Sequence, residues 1–331
     1  MIRKTYLILA LLIASVLPGH AMHIMEGYLP LGWCVFWYAI SAPFVLMSFR
    51  AITRLVQGEP RQRIGIALNV AFVFILSALK LPSVTGSSSH LTGTTLGTLY
   101  SGVMAMPLIG TIVLLFQALL LAHGGISTLG ANVFSLAVAG PLVAYLIYIG
   151  IQRIGLSRSL AIFLAAALGS LATYVTTSLQ LAIVFPDPMG GISASFIKFM
   201  TIFSITQVPL AIVEGAMTLA VMRIIERTDA QANPQTAHPS TAKTLALSLG
   251  AVLCLLAPIA SSWIDFGEGA DDRAGEMVES LAPNHDTTPL VEVFEPSETA
   301  EPWLFALQVL LGIALFAWGY HMIRRRKQII R

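Results

Sequence analysis

Charge is scarce in this chain of 331 residues: Asp, Glu, Lys and Arg together make up 11% of it. A soluble domain carries roughly a quarter of its residues as these four types, so that class is excluded. With 56% apolar residues, the chain reads as a polytopic membrane protein. Cysteine is almost missing as well. Cys34 and Cys254 both fall inside apolar runs, which rules out a disulfide scaffold or a thiolate metal cage and leaves two packing residues. No Gly-x-x-x-x-Gly-Lys-Ser/Thr loop is present to cradle a nucleotide, so any energy drawn from ATP must come through another chain. No His-Glu-x-x-His helix is present to hold a hydrolytic zinc and its base. The formal charge of +2 implies no nucleic-acid partner, because the charges are sorted by side of the membrane.

What the chain has in quantity is apolar sequence cut into lengths that suit a bilayer. Arg3 and Lys4 precede a short apolar run from Tyr6 to Leu17, then Gly19 and Ala21 stand in the two small positions of a cleavage site. Residues 1–21 therefore read as a secretory signal peptide, with cleavage after Ala21. Nine apolar runs follow: Trp33 to Phe49, Ile64 to Leu79, Leu91 to Met106, Pro107 to Ala122, Asn132 to Ile151, Leu160 to Phe185, Met200 to Met222, Thr244 to Trp263 and Trp303 to Met322. The third and fourth are short, glycine-rich and poorly separated. Starting outside at Met22, nine crossings place 14 basic residues inside, among them Arg50, Arg54, Arg153, Arg223 and the cluster Arg324 to Lys327, against Lys80, Lys198 and Arg273 outside. That asymmetry supports the count and its orientation.

The expected fold is an all-α polytopic membrane protein: a helical bundle of about seven spans in residues 22–227, a cytoplasmic linker at 228–243, and a two-span module at 244–331. The linker region, ERTDAQANPQTAHPSTAK, is polar and carries two prolines. An outward-facing loop at 264–302 joins the last two spans, and Asp265 to Pro302 holds 11 of the chain's 17 acidic residues against one arginine. It reads as a solvated connector, with attraction of divalent cations or pressure on a capture site as the other role. It lacks the Asp-x-Asp, glycine and distal glutamate spacing of a calcium loop.

Cleavage after Ala21 would leave Met22-His23 as a free N-terminus, and histidine at position two makes that end a chelator. The Met22 amine, the His23 amide nitrogen and His23 Nδ1 can close a five- and a six-membered ring around one cation. An amine of ordinary pKa near 8 sets only about one proton against the metal. Such a near-planar nitrogen set suits Ni(II), Cu(II) and low-spin Co(II) better than Mg(II), Ca(II) or tetrahedral Zn(II). One place in the plane stays open.

The loop Lys80 to Gly97 lies on the same outer side. Its glycines and consecutive serines argue for irregular backbone, which at membrane depth is tolerated where it lines a cavity or is buried in protein. His90 is its strong ligand and can fill the open place, with Ser88, Ser89 and Thr92 as hydrogen-bonding support. His123, in Ala122-His123-Gly124-Gly125, and Asn132 are further candidates for that support; the plainer alternative is a hydrogen-bonded loop histidine and a helix N-cap. Glu214 is a carboxylate inside the seventh run without a visible partner, and it stays unassigned. His20 leaves with the signal, and His238, His285 and His321 are expected to ligate nothing. Trp33, Trp37, Trp263 and Trp303 read as an interfacial aromatic belt.

Three stretches in order, MHIMEGYLP at 22–30, SVTGSSSHLTGTTLG at 83–97 and LLLAHGGISTLGANVFSLAVAGP at 119–141, resemble the CbiM family of cobalt-capture subunits in energy-coupling factor transporters. The resemblance covers about Met22 to Arg227, and the remainder from Lys243 resembles the small two-span CbiN partner. Leu91 departs from the family pattern, where proline commonly follows the loop histidine. The resemblance implies that Met22, His23 and His90 bind the metal. It also implies a complex with a coupling membrane subunit and ATP-binding subunits, in a bacterial inner membrane, serving cobalamin biosynthesis. Cobalt(II) is then the transported ion rather than a catalytic cofactor, and the chain is no enzyme. Nickel(II) import by the same route is the nearer alternative; Met25 and the SSSH run look more like the cobalt branch. A membrane metalloenzyme or metal sensor is the distant one.

Overall fold

The computed structural model describes residues 23–58, 62–78, 80–82, 88–121, 123–231 and 270–291. The signal segment with Met22, residues 232–243 of the linker and both C-terminal apolar runs lie outside them; the first four linker residues continue the last long helix, which ends at Gln231. Helix α1 spans Leu31–Gly58 and α2 Gln62–Ala78. A two-stranded antiparallel hairpin follows, β1 Lys80–Pro82 and β2 Ser88–His90, with Lys80 opposite His90. This hairpin is a departure from the all-α expectation. Ladder bonding replaces the irregular backbone foreseen for part of the loop, and it sets His90 at the base of the hairpin.

The largest difference concerns the third and fourth expected spans. Helix α3 is only Thr94–Ser101, Gly102 ends it at φ +86°, and a single 3-10 turn, Val103–Ala105, leads into α4, Met106–Leu121. The axes bend by 117° across this break. Only glycine takes that φ without strain, so the chain turns at Gly102, inside the run read from Leu91 to Met106. The pair starts and ends at the same end of the bundle, since His90 before α3 and His123 after α4 have ring centroids 5.3 Å apart.

Helix α5 spans Leu129–Arg153 with a π-helical stretch at Phe134–Ala139, α6 Arg158–Val184 and α7 Gly191–Gln231. Ser157 caps α6 by accepting from the Leu160 amide. Among the described residues, four helices are long and apolar enough to cross a membrane, α1, α5, α6 and α7, or five if the bent pair is one span. The chain is therefore a multi-pass membrane protein. The last described element, α8, is Ala270–Leu281.

Packing follows the pattern expected in lipid rather than in water. Leu46, Phe49, Leu146 and Ile197 face outward and are more than half exposed, whereas Asn69, Gln117, Thr173, Thr177, Gln180, Gln207 and Glu214 are buried between helices. Without a hydrophobic drive between helices in lipid, small residues and interhelical hydrogen bonds hold such bundles. A Cβ on Gly140 of α5 would stand 2.5 Å from Thr173 Oγ1 of α6, and one on Gly169 of α6 would stand 2.7 Å from Ala144. Trp37, expected at the interface, is instead buried between α1 and α5 against Phe134. It lies on the face of α1 that Gly130 lets close in: a Cβ at Gly130 would meet the backbone nitrogen of Tyr38 at 2.5 Å.

Candidate metal centre

Three helix ends and two loops converge on three histidines. His23, His90 and His123 are all buried, their ring centroids lie 4.8 to 5.3 Å apart, and one ligand nitrogen from each lies within 4.8 Å of the others. Among the described residues they form a group able to hold a metal ion. His123 is thus part of the cluster itself, where the sequence reading had it as support.

The hydrogen bonds around the rings determine which nitrogens carry lone pairs. Ser77 donates its hydroxyl to Val73 O at 2.7 Å, so its oxygen accepts, and the Gln117 group facing it at 2.8 Å must be the amide NH2. Gln117 Oε1 is then turned to His23 Nε2 at 3.2 Å, which makes that nitrogen the N–H donor and leaves Nδ1 the lone pair. In His90 the roles reverse. Its Nδ1 lies 2.9 Å from Leu91 O, a carbonyl that can only accept, so Nε2 carries the lone pair. It faces His123 Nε2 at 3.4 Å. His23 and His90 each have one nitrogen anchored by a second protein group, the arrangement that orients metal-ligating histidines. Burial, with the adjacent His90 ring, brings His23 down to about 3 against the opposing Gln117 hydrogen bond. At neutral pH no proton competes for its imidazole.

The segment after His23 is held as firmly as the rings. Asn132 accepts from the Ile24 amide and donates to the Ile24 carbonyl, both at 3.0 Å, and Thr128 donates to the same carbonyl at 2.7 Å. This is the pairing a neighbouring strand would give, made by one side chain of α5. Asn132 therefore positions the arm rather than capping a helix. Glu26 accepts from the Ser127 amide. The glycines at 124 and 125 make room for this contact. A Cβ at Gly124, where φ is +75°, would stand 3.1 Å from His23 Cβ, and one at Gly125 would lie 2.7 Å from Glu26 Cα.

Glu214 has partners that the sequence did not reveal. From the middle of α7 its carboxylate accepts from the amides of Thr92 and Gly93, each at 2.9 Å, and from the Thr92 hydroxyl. It holds the two residues that lead into α3, two to three residues past His90, at the end where the helix dipole favours a negative charge. Thr92 supports the site through this bond. The side chains of Ser88 and Ser89 lie outside the described structure. Gln117 was missed altogether, although a lone amide in the apolar run MPLIGTIVLLFQALLL is the kind of residue that calls for a buried partner.

Above the arm lies α8. Ala274 and Val278 pack in one apolar cluster with Ile24 and Leu29, His285 Nε2 donates to Gly27 O at 3.2 Å, and Gly275 lies under the Tyr28 hydroxyl. A cavity of about 20 Å³, room for about one water, remains between them and is lined by His23, Met25 and Tyr28 among others. The apolar side of α8 therefore roofs the arm, while the acidic side and most of residues 283–291 stay solvent-exposed, as composition suggests. The reason is local: α8 is amphipathic, and its apolar side finds the apolar side chains of the arm.

Residues 23–232 match the family described as "Cobalt uptake substrate-specific transmembrane region", CbiM. The chain belongs to this family. It is 57% identical over 217 residues to the cobalt transport protein CbiM of Kyrpidia tusciae, covering 65% of this chain and 88% of that one. It is 56% identical over 212 residues to the CbiM of Nostoc sp., covering 64% and 81%. A solved structure described as a truncated transition metal transporter aligns with a TM-score of 0.53 at 26% identity, over 62% of this chain and 99% of that one. The CbiM match ends at residue 232, just past α7, so α8 lies outside it.

Proposed function

We propose that the mature chain captures cobalt(II) at the outer face of a bacterial inner membrane, with four nitrogens in one plane: the Met22 amine, the His23 amide, His23 Nδ1 and His90 Nε2. Membership in a cobalt-uptake family supplies the ion, and the ion is the substrate. The observation that carries the ligand set is the chain of hydrogen bonds Val73, Ser77, Gln117, His23, together with the His90 to Leu91 bond. Those partners leave Nδ1 of His23 with its lone pair, the atom that a chelate from a free Met22 amine requires, and Nε2 of His90 with one for the remaining place in the plane.

In this reading the signal peptide is cleaved after Ala21, and the new amine joins the site as the amide proton of His23 is displaced by the metal. The Asn132 clamp on Ile24 fixes the arm, so little ordering remains when the ion arrives. The CbiM unit then has seven crossings, with the bent α3 and α4 pair entering and leaving on the outer side. Its N-terminus faces out and its C-terminus in. A coupling membrane subunit and ATP-binding subunits reorient the loaded unit, and the ion leaves inward. Residues 244–331 form a two-span CbiN-like module whose outer loop supplies α8.

The test is metal analysis of the purified, processed protein with mass measurement of its N-terminus. One cobalt per chain on a polypeptide beginning at Met22 is expected, and His23→Ala and His90→Ala remove it while the protein still reaches the membrane. A mature chain beginning elsewhere that still binds cobalt would exclude the amine.

A further inference from the structure

The four-nitrogen plane leaves one buried histidine over. His123 is not needed to fill it, yet its ring centroid lies 4.8 Å from that of His23 and 5.3 Å from that of His90, edge-on to both. Its Nε2 stands 3.4 Å from His90 Nε2. Two nitrogens, each about 2.0 to 2.1 Å from one ion, stand about 2.9 Å apart at a right angle and about 3.4 Å apart at a tetrahedral one. The observed 3.4 Å is the tetrahedral spacing, and a closure of about 0.5 Å brings the two nitrogens to the right angle of an apical and an in-plane ligand on one ion.

Direction follows from the chelate. The amine and amide close the five-membered ring and the amide and Nδ1 the six-membered ring, so the amide is next to both. His90 then lies opposite the amide and beside His23 Nδ1. A third imidazole that touches both of these rings has no place left within the plane and must approach from above it. The loop that carries it is built for this approach. Gly124, at φ +75°, brings the backbone so near that a Cβ there would lie 3.1 Å from His23 Cβ and 3.2 Å from Asn132 Nδ2.

We propose that His123 Nε2 is an apical fifth ligand, and that it selects cobalt(II) over nickel(II). The proposal rests on the planar site given above and adds to it. A planar nitrogen set by itself binds divalent metals in the order Co(II) < Ni(II) < Cu(II), so preference for cobalt has to come from geometry. An apical donor supplies that geometry. Low-spin cobalt(II) has a single electron in the orbital perpendicular to the plane and accepts a fifth nitrogen there. Low-spin nickel(II) fills the same orbital with a pair and gains nothing from one. His123 thus strengthens the grip on cobalt while leaving nickel nearly unchanged.

The experiment uses the full, signal-processed chain loaded anaerobically with cobalt(II), and reads both electron paramagnetic resonance and competition with nickel(II). One apical nitrogen splits the low-spin cobalt lines into three. The wild-type protein is expected to show this triplet. His123→Ala is expected to lose it, to bind cobalt at least tenfold more weakly, and to bind nickel within about threefold of wild type. Imidazole added to His123→Ala should restore the splitting, and with nitrogen-15 imidazole the triplet should become a doublet. If His123→Ala does not fold, His123→Gln carries the same readings without the imidazole arm. A triplet that survives replacement of His123, or an unchanged cobalt-to-nickel ratio, overturns the inference. Were cobalt binding also indifferent to His23→Ala and His90→Ala, the planar site would fall with it; loss in those two variants alone leaves the planar site standing and removes only the apical ligand.

Discussion

The two arms that carry His23 and His90 are secured in opposite ways. His23 and Ile24 are gripped by neutral side chains, Gln117 of α4 on the ring and Asn132 of α5 with Thr128 just before it on the Ile24 backbone, while Glu26 further along the arm accepts from the Ser127 amide. The His90 arm is secured from α7 by the Glu214 carboxylate. Gln117 and Asn132 pair with His23 and Ile24 without placing a charge beside them. A buried carboxylate is costly in a bilayer unless it is fully hydrogen-bonded, and here it ties a ligand loop to the long helix that runs to the opposite end of the bundle. Any tilt of α7 relative to α3 is therefore felt first at His90, while the His23 arm moves with α4 and α5.

Removing either ring tests the two arms most bluntly, and both His23→Ala and His90→Ala should weaken cobalt binding by more than about a hundredfold, since a nitrogen ligand is lost outright. Equilibrium dialysis with cobalt measures this. The supports should then separate. Glu214→Ala leaves the Thr92 and Gly93 amides just before α3 unpaired, each costing about 1 to 3 kcal/mol, so membrane yield and cobalt affinity should fall together. Asn132→Ala should lower cobalt affinity by about 10- to 100-fold, the usual range for a group that orients a ligand, at nearly normal yield. Equal yields for the two variants would remove the distinction between the arms.

Much of the bundle was legible because lipid imposes a simple rule: every run near 20 apolar residues becomes a helix, as in α1, α5, α6 and α7. The α3 and α4 break escaped that rule. Two runs were read there, Leu91 to Met106 and Pro107 to Ala122, but the chain turns inside the first of them, at the positive φ of Gly102, and leaves α3 only eight residues long. His23 and His90 could be read from chelate chemistry and a shared side of the membrane. Gln117 and Glu214 could not, because their partners lie 94 and 122 residues away in sequence, and no local pattern encodes such pairings. The roof formed by α8 was hidden for a related reason. Eleven carboxylates dominate the composition of its loop and mask the apolar face of Ala274 and Val278.

Smaller effects sharpen the comparison where the arms meet the loop and the roof. Gly124→Ala puts a side chain into a left-handed conformation at about 1 to 2 kcal/mol and presses on His23 Cβ. Cobalt affinity should drop by about tenfold, with the His90 arm untouched. The smallest change is expected from His285→Ala. Its bond to Gly27 O is one part-buried hydrogen bond of the roof on the arm, worth about 0.5 to 1.5 kcal/mol. Roof contacts of this kind retard escape rather than assist encounter, so the variant should release cobalt about two- to tenfold faster with the association rate little changed, read by stopped-flow chelator chase. A slower association with unchanged release would instead make the roof a funnel for the incoming ion, and would place α8 in loading rather than in retention.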